Sequence, residues 1–251
     1  MTHRIDGLDA AALAARLGVP RTALFASISS TMDEAHRLAA AGAPAGTIVI
    51  ADEQTAGRGR GGRRWASHPY HGLWMTLLER PDSESGLDVL SLRLGLRAAP
   101  VLEHFSGRRV TVKWPNDLYV GPRKLAGILV EARWRDGRPD WVAIGIGVNV
   151  APPADVPSAV GVRSTTTRGE LLEALVPALR AAAGERGPLT ATELADFAAR
   201  DYARGRPCSL PARGVVLGIS SDGALVIESE RGVAHYRGGS LELAGEGTLA
   251  P

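Results

Sequence analysis

The chain has 251 residues, of which 45% are hydrophobic and 22% are charged, so it has the composition of a globular protein that buries at least one sizeable core. Its formal net charge is only +2, which argues against broad, nonspecific binding to nucleic acid. The single cysteine, Cys208, excludes an intramolecular disulfide, and no apolar run approaches the roughly 18 residues of a membrane span. We therefore predict a cytoplasmic protein with one large and one small domain.

The N-terminal part of the chain alternates between helix and strand signals. Alanine-rich helical spacing at residues 8–17 predicts a short helix, and residues 25–28 predict a strand. Residues 31–34, Thr-Met-Asp-Glu, have the form of a capping box that begins a helix reaching Ala41. The apolar run at residues 46–51 is typical of a buried strand.

Hydroxyl side chains lie at the predicted junction between the first strand and the second helix. Ser29, Ser30 and Thr31 follow the strand directly. Hydroxyls at the start of a helix can cap it, or they can bind a polar ligand together with the free backbone N–H groups. The local sequence leaves both interpretations open.

A glycine and arginine segment at residues 57–65 reads Gly-Arg-Gly-Arg-Gly-Gly-Arg-Arg-Trp. Glycine allows backbone N–H groups to approach an anion closely, and guanidinium groups offer planar, permanently charged donors to phosphate. The same composition occurs in disordered RNA-binding tails. Because residues 46–51 and 72–78 predict core strands on both sides, we expect a loop that binds phosphate and becomes more ordered when it does so.

The middle of the chain predicts one long helix and a set of strands. Helical spacing covers residues 85–105, with a break or end near Pro100. Strands are predicted at residues 110–113, 124–131 and 141–150. Tight turns between successive strands favour a mixed or antiparallel sheet over a Rossmann repeat.

The strand that ends near residue 150 contains Gly145 and Gly147. This Gly-Ile-Gly lacks the third glycine and the helix of a dinucleotide fingerprint, so we expect the glycines to let a ligand lie on the strand. A loop at residues 151–164 follows, and helices are predicted at residues 168–183 and 190–204.

The C-terminal part of the chain changes to short strands with turn residues between them. Strands are predicted at residues 215–219, 224–228 and 233–237. We therefore predict two domains, residues 1–204 and a small β domain at residues 205–251.

Six segments, in this order and spacing, resemble those of biotin protein ligases. They are Ser29-Ser30-Thr31, residues 53–60, Arg63-Arg64-Trp65, Lys113-Trp114-Pro115-Asn116-Asp117, residues 124–129 and residues 145–149. The resemblance spans nearly the whole chain. It implies an α+β fold with a mixed or antiparallel sheet flanked by helices, followed by a small Src-homology-three-like β-barrel. It favours the monofunctional type, because too few residues precede the first core strand for a DNA-binding winged helix, so no DNA partner is expected.

The resemblance also implies a reaction in two steps. Biotin and ATP, which brings Mg²⁺, form biotinoyl-5'-adenylate and pyrophosphate, and a lysine of a biotin carboxyl carrier domain then takes the biotin. The expected acceptor belongs to an acyl-CoA carboxylase. The sequence identifies no metal ligands of its own and leaves a homodimer possible.

Residue roles follow from the same resemblance. Expected biotin contacts are Ser30, Thr31, Gln54, Gly57, Arg58, Lys124 and Gly127. Expected ATP or adenylate contacts are Arg58, Arg60, Arg63, Trp65, Asn116, Lys124 and Asn149. Catalytic roles fall to Lys124 and Arg58, because attack of a carboxylate on a phosphate brings two anions together and requires cations, and to Asp117 for a different reason. Among the loop arginines, Arg58 is the first choice.

Asp117 is the candidate for the second step. A free lysine amine is neutral in only about one molecule in 2,500 at pH 7, so a carboxylate is needed to hold or deprotonate the acceptor ammonium. The alternative is that Asp117 merely shapes the turn.

Two departures from the family pattern affect the site. Met32 stands where these ligases commonly have asparagine, so that contact is not carried over. No aromatic residue lies between Val148 and Phe197, so an apolar residue or Arg163 would have to cover the adenine. Trp65 and Trp114 could line the ligand or belong to the core.

Two other functions are consistent with parts of the sequence. A lipoate or octanoate ligase or transferase of the same superfamily would share the core and a carrier-lysine substrate. An RNA-binding protein would use Arg58 to Arg64 on phosphates and would bind with strong salt dependence.

Overall fold

A seven-stranded sheet in the order β1-β2-β3-β7-β6-β5-β4 is the larger of the two sheets in the molecule. The computed structural model describes residues 3–152, 156–163 and 165–245. The strands are β1 (Arg21–Ile28), β2 (Thr47–Gln54), β3 (Gly72–Glu79), β4 (Thr111–Lys113), β5 (Asp117–Val120), β6 (Arg123–Arg135) and β7 (Arg138–Asn149). β1 and β2 are parallel and the other neighbours are antiparallel, which confirms the predicted mixed sheet.

Helices cover both faces of this sheet. They are α1 (Ala10–Leu17), α2 (Thr31–Ala40), α3 (Leu90–Ser106), α4 (Arg168–Gly184) and α5 (Ala191–Arg200). On one face Leu38 of α2 packs with Val49 of β2, and on the other Ile48 and Ile50 join the main core with α1, α3 and α4. Because β2 is buried on both sides, its sequence is a continuous apolar run. None of these helices, within the described residues, is long and apolar enough to cross a bilayer.

The start of α2 differs from the prediction by one residue. Ser30, not Thr31, is the N-cap, and its Oγ accepts a hydrogen bond from the backbone N–H of Met32 at 3.2 Å. Thr31 is already the first helical residue, so the capping box predicted from Thr31 and Glu34 is wrong. Its hydroxyl is thereby free to face the sheet.

The long helix α3 continues through Pro100 to its end at Ser106. Proline removes one helical hydrogen bond and usually breaks or kinks a helix. Ala98, Ala99 and Leu102 around it are fully buried, and this packing holds the helical turn in place. The prediction that this helix breaks or ends near Pro100 is therefore wrong. Helix α5 ends at Arg200, before the predicted end at residue 204.

The second sheet is formed by the C-terminal strands in the order β11-β10-β9-β8-β12. They are β8 (Pro207–Leu210), β9 (Gly214–Ile219), β10 (Leu225–Ser229), β11 (Gly232–Tyr236) and β12 (Glu242–Leu243). All described pairs are antiparallel, and β11 and β12 are left as edges, so the predicted barrel is an open sheet. β8 and β12 escaped prediction because they are too short to show alternation. The boundary between residues 204 and 205 stays a prediction, and residues 246–251 lie outside the described residues.

A turn of the second sheet contacts the segment that precedes β5. The Trp114 indole N–H donates to the Gly223 carbonyl in the β9–β10 turn at 3.0 Å. Gly223 has φ 78°, and a Cβ there would lie 3.1 Å from side-chain atoms of Val89 and Leu92. Trp114 is thus a core residue that ties the turn before Asp117 to the C-terminal sheet.

Candidate functional site

A cavity lies between the N-terminus of α2, the sheet and the loop at residues 57–65. Its wall comes from α2, the loop and strands β2, β3, β5, β6 and β7. The lining residues are Ser30, Thr31, Met32, Gln54, Arg58, Gly59, Arg60, Arg63, Arg64, Trp65, Met75, Thr76, Asn116, Asp117, Lys124, Gly127, Ile128, Leu129, Gly145, Ile146 and Gly147. Of the predicted site residues, all except Gly57 and Asn149 belong to this wall.

Hydroxyl and amide groups form a connected row at one end of the cavity. The Thr31 backbone N–H and hydroxyl both donate to Gln54 Oε1, at 2.9 and 3.0 Å. The Thr31 hydroxyl also lies 2.9 Å from the Thr76 hydroxyl, and Gln54 Nε2 donates to Ser67 Oγ at 2.8 Å. Because Ser30 and Thr31 are almost fully buried, these groups are held in fixed directions. The row can direct hydrogen bonds to a polar ring placed in an otherwise apolar slot.

Strand register places the acidic and glycine positions of the site side by side. Asp117 in β5 pairs with Gly127 in β6, Gly127 pairs with Gly147 in β7, and Gly147 pairs with Trp74 in β3. Cross-strand partners share a face of a sheet. Two adjacent glycines therefore make a bare patch of backbone between a carboxylate and a tryptophan.

The Trp65 ring lies on this bare patch. A Cβ on Gly127 would be 2.7 Å from the Trp65 ring, and one on Gly147 would be 2.6 Å from it. Trp65 also meets Trp74 edge to face, with ring centroids 6.2 Å apart. Its indole nitrogen is buried and makes no hydrogen bond to the described residues. Of the two glycines predicted to let a ligand lie on the strand, Gly147 accommodates this side chain, which sequence alone left as either core or ligand contact, and Gly145 lies against Met32, whose Cε is 2.9 Å from where a Cβ would be.

Lys124 and Asp117 face each other across the cavity. Lys124 Nζ lies 2.8 Å from Asp117 Oδ1 and 4.9 Å from the centroid of the Trp65 ring. Both side chains are partly exposed, at 30% and 23%, so a ligand can reach them. The Lys124 carbonyl accepts from Asn149 Nδ2 at 3.2 Å, which fixes the backbone at the start of β6.

The loop arginines differ in what they already contact. Arg58 donates from Nη1 to Asp33 Oδ1 at 2.7 Å and from Nη2 to Glu131 Oε1 at 2.5 Å. Arg63 Nη2 donates to Ser240 Oγ at 2.9 Å. The carboxylates at Arg58 count against the expectation that this arginine is the first choice for phosphate.

Arg60 differs from Arg58 in that its charge is not paired with a carboxylate, a property that it shares with Arg63 and Arg64 within the described residues. Within the described part of the chain, its guanidinium makes no ion pair. Partial burial lowers the pKa of Arg60, and the nearby charge of Asp117 opposes that shift. Because the side chain still reaches solvent, Arg60 stays charged at physiological pH.

The remaining predicted residues contact the backbone around the cavity. Asn116 Nδ2 donates to the Ile128 carbonyl at 2.6 Å, which joins the turn before β5 to β6. Gly57 is buried beneath the loop, where a Cβ would be 2.4 Å from the Trp65 carbonyl oxygen. Asn149 is buried and lies outside the cavity wall.

The segment after β7 was expected to supply a cover for adenine. Of the predicted loop at residues 151–164, residues 153–155 and 164 lie outside the described residues. Arg163 is described, and its guanidinium packs against Gly107 at the end of α3, with Nη2 2.3 Å from where a Cβ would be. In this structure Arg163 therefore does not cover the cavity.

Several lining or neighbouring residues were missed from the sequence. Met32 and Leu129 give the slot apolar walls, and Thr76 completes the hydroxyl row. Asp33 and Glu131 bind Arg58 from α2 and β6. Asp33 lies close in sequence to Ser29, Ser30 and Thr31, so its place near the site could have been predicted. No feature of the sequence around Glu131 predicted that it would contact the loop.

The charged groups in the cavity wall are the cations Arg58, Arg60, Arg63, Arg64 and Lys124 and the carboxylate of Asp117. Within residues 3–152, 156–163 and 165–245, no group of three or more His, Cys, Asp or Glu side chains is placed to hold a metal ion. The arrangement can bring an anionic phosphate and a carboxylate together, with Lys124, Arg60 and Arg63 balancing their charge.

Comparison with known proteins shows what the chain as a whole is similar to. The model of the biotin/lipoate A/B protein ligase family matches residues 24–149. The bifunctional ligase/repressor BirA of Bacillus subtilis is 33% identical over 245 residues, covering 86% of this chain and 72% of that protein. The biotin–[acetyl-CoA-carboxylase] ligase of Paracoccus denitrificans is 32% identical over 232 residues, covering 83% and 95%. The biotin protein ligase from Aquifex aeolicus in complex with biotin and ATP has a TM-score of 0.73 at 26% identity, covering 88% and 97%.

Proposed function

The chain belongs to the biotin/lipoate A/B protein ligase family, and we propose that it is a biotin protein ligase that joins biotin to a carrier lysine through biotinoyl-5'-adenylate. One observation carries the proposal. An apolar slot with a fixed row of hydroxyl and amide groups opens directly onto Lys124, Asp117 and the arginine loop. Such a cavity suits a mostly apolar acid with a polar ring at one end and a carboxylate at the other.

In the first step, biotin and MgATP are the substrates. An oxygen of the biotin carboxylate attacks the α-phosphorus, the bond to the bridging oxygen of the β-phosphate breaks, and pyrophosphate leaves. Lys124 stands between the two anions and lowers their repulsion, while Arg60 and Arg63 meet the phosphate oxygens. We assign the leading phosphate role to Arg60 in place of Arg58, because both terminal nitrogens of Arg58 are already bonded to carboxylates.

Biotin occupies the slot at the N-terminus of α2. Met32 and Leu129 supply apolar contact, and Thr31 and Gln54 meet the ureido ring. The positive end of α2 lies at the same place, which favours the partly negative ureido oxygen. Met32 takes the place of the polar residue common in the family, so this slot is more apolar on the side of α2.

In the second step, the amine of the acceptor lysine attacks the acyl carbon of the adenylate. The acceptor lysine is an ammonium before the attack, and Asp117 holds it and takes one of its protons, so that the neutral amine can attack. The bond from the acyl carbon to the phosphate oxygen then breaks and AMP leaves. Lys124 contacts Asp117 in the structure, and in the proposed mechanism it turns toward the carboxylate and phosphate of the substrates, which leaves Asp117 to the incoming lysine.

The acceptor we propose is a biotin carboxyl carrier domain of an acyl-CoA carboxylase. The name of the Paracoccus denitrificans relative, an acetyl-CoA-carboxylase ligase, supports this choice.

A pair of measurements tests the function. ATP–pyrophosphate exchange should depend on biotin and not on lipoate or octanoate, and exchange driven by lipoate in place of biotin would contradict the assignment. Biotin and ATP together should raise the melting temperature, because ligands that bind only the native state stabilise it. Stabilisation by polynucleotide alone, lost at high salt, would instead support RNA binding.

A further inference from the structure

A chain of hydrogen bonds runs from β7 through α2 and β6 to the arginine loop. The Trp141 indole N–H donates to His36 Nδ1 at 2.9 Å, and His36 Nε2 lies 3.0 Å from Glu131 Oε2. The other oxygen of Glu131 accepts from Arg58 Nη2 at 2.5 Å. Asp33, one helical turn before His36 on α2, accepts from Arg58 Nη1.

The chemistry of the donors fixes the direction of this chain of hydrogen bonds. An indole nitrogen can only donate, so His36 Nδ1 must carry its lone pair and the ring proton must be on Nε2. His36 Nε2 therefore donates to Glu131. Burial lowers the pKa of His36, with the positive charge of Arg133 adding to the effect and Glu131 opposing it. His36 is the neutral tautomer that this geometry requires.

Besides Arg58, the loop is attached to the body of the protein by the hydrogen bond from Arg63 to Ser240 and by the packing of Trp65, at its end, on Gly127 and Gly147. Gly61 and Gly62 have φ of 64° and 77°, in the region that glycine favours, and bare backbone of this kind is costly to order. Backbone bonds from Gly59 to Arg63 and from Trp65 to Gly57 close the loop on itself. Arg58 joins it to α2 and β6.

We propose that Arg58 is an anchor of the phosphate loop, held by Asp33 and Glu131, and that Trp141 and His36 position Glu131 for this task. The anchor keeps the loop over the cavity, so it sets how long the adenylate is retained before an acceptor arrives. This last consequence rests on the proposed function, whereas the anchoring itself does not. Arg58, Asp33, Glu131 and His36 are positioning residues, since the phosphate contacts belong to Arg60 and Arg63.

The competing account makes the opposite prediction. If Arg58 binds phosphate and its carboxylates only hold it in the empty protein, removing Glu131 frees the guanidinium and strengthens ATP binding. If Arg58 is an anchor, removing Glu131 loosens the loop and weakens retention of the adenylate. The sign of the change separates the two.

The experiment compares Asp33→Asn and Glu131→Gln with the control Glu34→Gln. Glu34 lies beside Asp33 in the first turn of α2 but pairs with Arg37 on the same helix, so it controls for helix stability and net charge. Two properties are measured, the rate of trypsin cleavage after loop arginines without ligand and the rate at which preformed biotinoyl-adenylate is released. His36→Leu and His36→Gln are added, because only glutamine retains an N–H donor near Glu131.

The anchor predicts cleavage and release about three- to tenfold faster in Asp33→Asn and Glu131→Gln, the range for partly exposed charged contacts. Glu34→Gln should match the wild type, and His36→Gln should retain more of the wild-type behaviour than His36→Leu. Unchanged cleavage, or slower adenylate release with a lower KM for ATP, overturns the proposal. Failure of the wild type to form adenylate would refute the function, while the cleavage rates would still decide the anchor.

Discussion

The ammonium of Lys124 lies 2.8 Å from Oδ1 of Asp117, so the residue assigned to the first step covers the residue assigned to the second. The two belong to neighbouring strands, and Trp65 lies 4.9 Å from the same ammonium. Arrival of a carboxylate and a phosphate offers Lys124 stronger partners than one exposed carboxylate. In the proposed mechanism, Lys124 must therefore turn to the ligands of the first step before Asp117 is accessible for the second.

Lys124→Ala should abolish most ATP–pyrophosphate exchange, by about 100-fold or more, because Lys124 is the cation that the mechanism places between the two anions, while Arg60 and Arg63 contact the phosphate alone. The far-UV circular dichroism and the melting temperature should stay close to those of the wild type, since the side chain is partly exposed. Arg123→Ala, at the exposed neighbouring position, is the matched control and should retain exchange. Exchange in Lys124→Ala near the wild-type rate would remove Lys124 from the mechanism.

Asp117→Asn should slow transfer of biotin to the acceptor much more than it slows adenylate formation. Asparagine keeps the shape of the turn but does not accept a proton at neutral pH. Single-turnover transfer from preformed adenylate measures the second step, and pyrophosphate exchange measures the first. Equal losses in both would favour the turn-shaping alternative.

Gly147→Ala should lower the free energy of unfolding by about 1–3 kcal/mol, the usual cost of overpacking, because the added Cβ would lie 2.6 Å from the Trp65 ring. In a Trp65→Ala background the same change should cost much less, since the ring is gone. Urea unfolding of the four variants measures both costs. Gly184→Ala, with open space around its Cβ position, should be neutral or stabilising. An equal penalty in both backgrounds would show that Trp65 does not lie on Gly147.

The buried pair of Arg93 and Glu193 should make stability depend on acid pH. Burial raises the pKa of Glu193, but hydrogen bonds from Arg93 and Thr190 outweigh it and lower the value from 4.5 to about 2. A lowered pKa of an acid gives stability that is complete above the unfolded value and is lost as pH falls toward the folded value. The difference in unfolding free energy between the wild type and Glu193→Gln, about 2 kcal/mol at pH 7, should therefore shrink between about pH 4.5 and 2. A difference independent of pH would contradict this.

The sheet was predictable because burial leaves a local pattern. β2 and β3 are buried on both faces, and their apolar runs stand out between turn residues. The short strand β12 has two residues and no room for alternation. The continuation of α3 through Pro100 was not predictable, because the packing that stabilises the helix there comes from other elements.

The candidate site was predictable in its members and not in their pairing. Lys124, Asp117 and the loop arginines lie in segments that resemble those of biotin protein ligases, and that resemblance implied that they share one site. Arg58 is 25 residues from Asp33 and 73 from Glu131, and long-range side-chain pairs leave no local pattern. The position of Trp65 likewise depends on the register that sets Gly127 beside Gly147.

The most direct test of the account is a single-turnover transfer experiment. The protein is incubated with biotin and MgATP, the products are analysed, and a biotin carboxyl carrier domain is then added. We predict pyrophosphate and bound biotinoyl-5'-adenylate first, and then AMP together with biotin on one lysine of the carrier. Absence of the adenylate, or formation of a lipoyl or octanoyl adenylate in place of the biotinoyl one, would contradict the central claim.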